Sequence, residues 1–145
     1  MRKLIVALLL TFVFPNANAQ TRTPKETVLA FYRLALSDMK PQQAFAEYMS
    51  TDFVEHSADS SGGTAQGTID FLNGLIKRAP QPKWEVIRSI SESDLVFLHV
   101  RFTPAPGAPP IAIGEIFRVR GNKITEHWDI VQPASEHSAN PRSVF

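Results

Sequence analysis

Apolar positions recur at helical spacing in the first half of the chain and alternate in the second. Behind Thr23-Pro24-Lys25-Glu26 come Val28, Phe31, Tyr32, Ala35 and Leu36, one stripe of a helix expected to end near Asp38. Thr23 can cap it, Pro24 suits its first position, and Glu26 completes a capping box. Pro41 opens a second, shorter helix carrying Ala44, Phe45, Tyr48 and Met49. Phe53–His56 reads as a short extended piece, and Ser57–Gly67, rich in Ser, Gly, Ala and Asp, as a mobile loop. Thr68 is predicted to cap a third helix striped by Ile69, Phe71, Leu72, Leu75 and Ile76, which Pro80 and Pro82 stop. From Lys83 the period becomes that of strands: Trp84–Ile90, Leu95–Thr103, then Ile111–Arg120 and Lys123–Gln132. A turn at Ser91–Asp94 joins the first two, and the proline-rich Pro104–Pro110 is a loop. Helices followed by an antiparallel sheet predict an α+β fold, a curved sheet wrapped around helices into a cone. Such a cone leaves a concave site for a small ligand.

The last two strands organise the rest. Gly121-Asn122 tolerates the positive φ that a two-residue hairpin needs. A two-residue turn pairs Val119 with Ile124, Phe117 with Glu126, Glu115 with Trp128 and Ile113 with Ile130. One face then holds these residues, apolar apart from Glu115 and Glu126. The other holds Gly114, Ile116, Arg118, Thr125, His127, Asp129 and Val131. The sets cannot mix unless a bulge intervenes.

Composition changes the picture at the N-terminus. Arg2 and Lys3, the apolar run Leu4–Phe14 and Ala17-Asn18-Ala19 form the three parts of a cleavable signal peptide, residues 1–19. The run is shorter than the ~20 residues a membrane helix takes. Export to the periplasm or the outside is expected, with no membrane association after cleavage. Residues 20–132 then form one domain and 133–145 a loose polar tail. The chain has no cysteine, which excludes disulfides, thiolate metal sites and a cysteine nucleophile. Its 15 basic and 14 acidic residues give a formal charge of +1 without a basic cluster, so no nucleic-acid partner is expected. The four histidines are scattered, and no metal site is expected.

Four residues are candidates for acid/base chemistry. His56 carries an imidazole, a side chain that can take a proton from carbon α to a carbonyl. Glu115, set among apolar neighbours, would be raised toward a useful base by desolvation, with Trp128 as an apolar wall. His127 and Asp129 form an i, i+2 pair in which a carboxylate can fix an imidazole. Simple alternation places that pair on the more polar sheet face, for salt bridges or a dimer contact, and a bulge would reverse the placement. Phe117 is a wall residue, and His99 lies in a strand whose two faces are both largely apolar.

The element order, the histidine of Phe53–His56, the Asp94-Leu95-Val96 start and above all Ile116-Phe117-Arg118-Val119 with Lys123 to Gln132 resemble the SnoaL-like polyketide cyclase family of the nuclear transport factor 2-like superfamily. The resemblance spans roughly Pro24 to Gln132. It implies a cone-shaped α+β barrel, often dimeric, with a pocket between sheet and helices. Members include cyclases that close rings by aldol chemistry, isomerases, dehydratases and epoxide hydrolases. The cyclases carry a catalytic carboxylate near the end of the last strand, which aligns with Gln132 here. Glutamine exchanges no proton near neutral pH, which leaves Asp129 or Glu115 to take over.

The chain is therefore expected to bind a small, largely apolar molecule. As an enzyme without a cofactor it would use His56 as proton shuttle and Glu115 or Asp129 as second acid/base, with His127 beside Asp129. Trp128, Gln132, Phe117 and His99 are the candidate ligand contacts. A carrier or sensor of the same fold is the alternative.

Overall fold

The computed structural model describes residues 22–79, 81–133, 139, 140 and 142–145. The expected signal peptide lies outside the described residues, as does part of the tail. Helix α1, Pro24–Tyr32, starts at the anticipated box: Glu26 N donates to Thr23 Oγ1, and Thr23 N donates to Glu26 Oε2. A wider turn of π type, Arg33–Ser37, extends it to Asp38. Helix α2 is Pro41–Tyr48. Strand β1, Met49–Glu55, follows without a break and begins four residues earlier than the extended piece read from the sequence.

Helix α3 runs Ala65–Arg78, and Thr64, not Thr68, caps it by accepting from Gly67 N. Gly67 sits where a Cβ would fall 1.9 Å from the Ser61 carbonyl oxygen, so only glycine lets the preceding loop lie this close. Thr68 is freed for the helix's buried face. Strands β2 (Lys83–Glu92), β3 (Leu95–Thr103), β4 (Ile111–Arg120) and β5 (Lys123–Gln132) match the predicted order.

The sheet is open, in the order β1-β5-β4-β3-β2. Strands β2 to β5 are antiparallel, and β1 adds a parallel edge on β5. The helices pack on its inner face. Val28, Val96, Leu98, Val100 and Ile124 are fully buried there. Phe31 meets Phe45, Tyr48 and Phe117 edge to face, with ring centroids 5.4, 6.4 and 6.0 Å away.

The hairpin turn is as predicted, with Gly121 at φ 54° and Asn122 at φ 64°. The register beyond it is not. Val119 pairs with Ile124, but Arg118 pairs with Glu126, leaving Thr125 as an extra residue on β5. This bulge shifts every later pair: Phe117 meets His127, Glu115 meets Asp129, and Ile113 meets Val131. His127, Asp129 and Val131 therefore turn inward, and Glu126, Trp128 and Ile130 turn outward.

Candidate functional site

Between the sheet and the helices lies a cavity of about 220 Å³. Aromatic and aliphatic side chains such as Phe45, Leu72, Trp84 and Phe102 line most of it. Its polar atoms gather where β1, β4 and β5 lie side by side. Glu55 ends β1 opposite His127 in the parallel register, and alternation turns both side chains inward. Glu115 reaches the same place from β4.

The three form a chain of charge. His127 Nδ1 lies 2.8 Å from Glu55 Oε1 and its Nε2 2.7 Å from Glu115 Oε2. The His127 side chain is 12 % exposed and that of Glu55 1 %. Burial pushes the imidazole toward neutrality, but the hydrogen bonds and charges of Glu115 and Glu55 outweigh it and hold its pKa at about 10. At neutral pH the ring is an imidazolium donating to both carboxylates. Burial pushes Glu55 up, yet the bonds from His127, the Ser57 N–H and Thr68 leave its pKa below the ordinary value.

Further groups complete the carboxylates. Tyr32 Oη donates to Glu115 Oε1 at 3.0 Å, and burial first, then the Glu115 charge, drives the phenol well above its usual range. Thr68 Oγ1 donates to Glu55 Oε2 at 3.1 Å and shares a 2.6 Å bond with Ser60 Oγ. Ser57 holds two acids at once: its N–H donates to Glu55, and its Oγ donates to Asp129 Oδ2 at 2.9 Å. Asp129 lines the cavity half-buried. Burial, with the nearby Glu115 and Glu55 charges, raises its pKa against the opposing pull of Ser57 and His127.

Of the residues singled out from sequence, Glu115, His127, Asp129 and Phe117 come together here. His56, Trp128, Gln132 and His99 are not among the cavity's lining residues. His56 follows Glu55 and points outward by alternation, stacking on Trp128 with ring centroids 4.6 Å apart. Trp128 faces out because of the bulge, and Arg118 lies 5.4 Å over its ring. Arg118 also holds Glu126 at 2.6 Å, an ion pair that lowers the Glu126 pKa. Gln132 is exposed at the strand end beside Ala112. His99 is on the outer face, 2.8 Å from Arg88, with the Phe145 ring stacked at 5.8 Å.

Glu55, Tyr32, Ser57 and Thr68 entered the sequence reading without a role in the site, Thr68 as a helix cap and Tyr32 as part of a helix stripe. Glu55 was legible: Phe53 and Glu55 share a strand face, and an apolar Phe53 marks that face as inward. Tyr32 was on the predicted stripe but carried no sign that its hydroxyl meets an acid.

The model of the SnoaL-like domain family matches residues 12–127. The chain belongs to the SnoaL-like family. No curated protein matches it. Among solved structures, this SnoaL-like chain is similar to AclR, a candidate hydroxylase from Streptomyces galilaeus, at 21% identity and a TM-score of 0.63, covering 75% of this chain and 88% of AclR. Wild-type IdmH, a candidate polyketide cyclase from Streptomyces antibioticus, gives 21% identity and 0.63, covering 76% and 92%. A nuclear transport factor 2-like protein of unknown function from Cytophaga hutchinsonii gives 16% and 0.63, covering 79% and 95%. At these identities the SnoaL-like chain shares a fold with them, the nuclear transport factor 2-like fold.

Proposed function

We propose that this SnoaL-like protein is an exported acid/base catalyst that needs no cofactor and acts on a small, largely apolar carbonyl compound. The reaction is of cyclase, isomerase or hydro-lyase type. The observation that carries this reading is the Asp129 carboxyl at the polar end of an apolar cavity. Ser57 is its one hydrogen-bond partner among the described residues, and its raised pKa makes it a stronger base than a solvated aspartate. Glu55 and Glu115 are engaged by His127, Tyr32 and Thr68, which suits them to hold the site rather than to exchange protons.

In an aldol closure, Asp129 takes the proton from carbon α to a carbonyl, and the C–H electron pair becomes an enolate. The enolate carbon bonds to a second carbonyl carbon of the same molecule, whose π pair moves to oxygen. Asp129 returns its proton to that alkoxide, so no atom is gained or lost. In an isomerisation the proton returns to a different carbon. The candidate cyclase IdmH is compatible company for such chemistry.

The test follows hydrogen–deuterium exchange at the α-methyl of acetophenone in D₂O by NMR. Wild type should accelerate exchange, and Asp129→Asn should remove about a hundredfold of that acceleration. Equal rates for the two proteins overturn the reading. A carrier or sensor is the second reading, favoured by the saturated His127 ring and by glutamine at position 132. It predicts no accelerated exchange but a ligand retained on protein taken from its natural compartment, read by native mass spectrometry.

Export rests on the three-part pattern of residues 1–19, and N-terminal sequencing of the secreted or periplasmic protein should begin at Gln20. A homodimer is part of the same proposal. Its support is the outer sheet face, where Ile90 is 63% and Ile130 67% exposed.

A further inference from the structure

The charges and the size of the cavity together narrow what it can hold. Its titratable lining residues include Glu55, Asp59, Glu115 and Asp129 against His127, and no lysine or arginine is among the lining residues. The single imidazolium is shared by two carboxylates and has no N–H left for a ligand. An anionic ligand would thus enter a low-dielectric space already carrying excess negative charge, with no cation to receive it. The polar atoms still able to serve a guest are few. Glu55 accepts from His127, Ser57 and Thr68, and Glu115 from His127 and Tyr32. Asp129 remains, and its protonated form can donate to a carbonyl oxygen.

Volume sets the second limit. A cavity of roughly 150 Å³ admits one benzene ring, about 25 Å³ per ring carbon. On that scale the 220 Å³ here takes about nine non-hydrogen atoms. Drug-sized ligands occupy about 300–1,000 Å³.

We infer that the cavity takes a compact, non-anionic carbonyl compound of one substituted ring, and turns away carboxylates, phosphates and fused three-ring molecules. This rests on the acid/base reading above only for the carbonyl; the limits on charge and size stand on the cavity itself. A substrate tethered through a phosphate-bearing carrier would have to leave that group outside.

The probes are acetophenone, benzoate and benzamidinium, which match in outline and differ in charge, with anthrone as the three-ring ketone. Binding to the wild-type protein is measured by ligand-observed NMR and calorimetry at neutral pH. Acetophenone should bind, benzoate at least about tenfold more weakly, and anthrone not at all. Asp129→Asn and, on the exposed loop, Asp59→Asn each remove one negative charge and should narrow the gap between benzoate and acetophenone. Benzoate binding as tightly as acetophenone or as benzamidinium, or anthrone binding at the cavity, would overturn the inference. Binding is read without turnover, so the two proposals fail separately. Acetophenone bound without accelerated exchange removes the catalytic reading and leaves the ligand class standing. Turnover of a carboxylate or a three-ring ketone does the reverse.

Discussion

The Nε2 of His127 stands 2.7 Å from Oε2 of Glu115, one diagonal step away across the β4–β5 ladder. Glu55 completes the pair on the other side of the ring. Removing the cation would leave two buried carboxylates facing each other. His127→Gln is therefore expected to cost about 3–5 kcal/mol at neutral pH, read as a lower urea midpoint. The pH dependence has a definite sign. The pKa of His127 rises from 6.5 in the unfolded chain to about 10 in the fold, so the folded state holds the extra proton between those values. Its stabilisation is fully present below pH 6.5 and lost as pH rises through about 10. Wild-type stability should fall across that window, and the difference from His127→Gln should shrink with it. A difference that stays constant from pH 6.5 to 10 would contradict the charge chain.

Ser57 ties Asp129 through one hydrogen bond, and that bond lowers a pKa that burial has raised. Ser57→Ala should let the carboxyl rise further. Proton abstraction needs the carboxylate, so the acid limb of the exchange rate should move to higher pH, with the plateau changed less than about tenfold. Asp129→Asn should lose the plateau itself. The same shift speaks to stability: an acid whose folded pKa is raised favours folding below its unfolded value of 3.8 and opposes it as pH rises through the folded value. Asp129→Asn should thus be modestly more stable than wild type near neutral pH while losing activity, a pattern typical of functional groups. A destabilised Asp129→Asn would mean that the carboxylate serves the fold.

The hairpin shows where sequence reading stops. Helical and strand periods placed every main element, because they follow from which faces must be buried. Gly121-Asn122 announced its own turn. The register failed at Thr125, a polar residue that carries no mark of being unpaired, yet its presence decides that His127 and Asp129, not Glu126 and Trp128, face the cavity. The mixture of acids and apolar residues on both candidate faces hid the choice. The contacts of Glu55 with His127 and of Thr68 with Glu55 were illegible for a related reason: the partners are 72 and 13 positions apart, and spacing along a chain does not reveal such meetings. Deleting Thr125 should remove the extra residue and leave the pairs on either side of it, Val119 with Ile124 and Arg118 with Glu126, as they are, so that His127 and Asp129 still face the cavity. Without a bulge, the same deletion would turn every later side chain of β5 to the opposite face. The deletion variant should therefore keep a cooperative melt, and Thr125→Ala should melt within about 1 kcal/mol of wild type. A deletion variant without a cooperative melt would refute the bulge.

The outward turn of Trp128 and Ile130 has a consequence of its own. With Ile90 at 63% and Ile130 at 67% exposure, the outer face presents large apolar side chains to solvent across a sheet already hydrogen-bonded through β2 to β5. A two-fold dimer would cover the same face of each copy, so one substitution acts twice. Ile130→Lys puts two charges into that contact. It leaves the inner core untouched, since Ile130 lies on the opposite side of β5 from His127 and Asp129. The variant should keep its thermal midpoint at low concentration and weaken self-association by at least about tenfold in sedimentation equilibrium. His56→Ala should weaken it less, because loss of the stacked ring removes support for Trp128 without adding charge. Wild-type protein that sediments as a monomer at every concentration tested would remove the dimer from the proposal and leave the cavity chemistry as it stands.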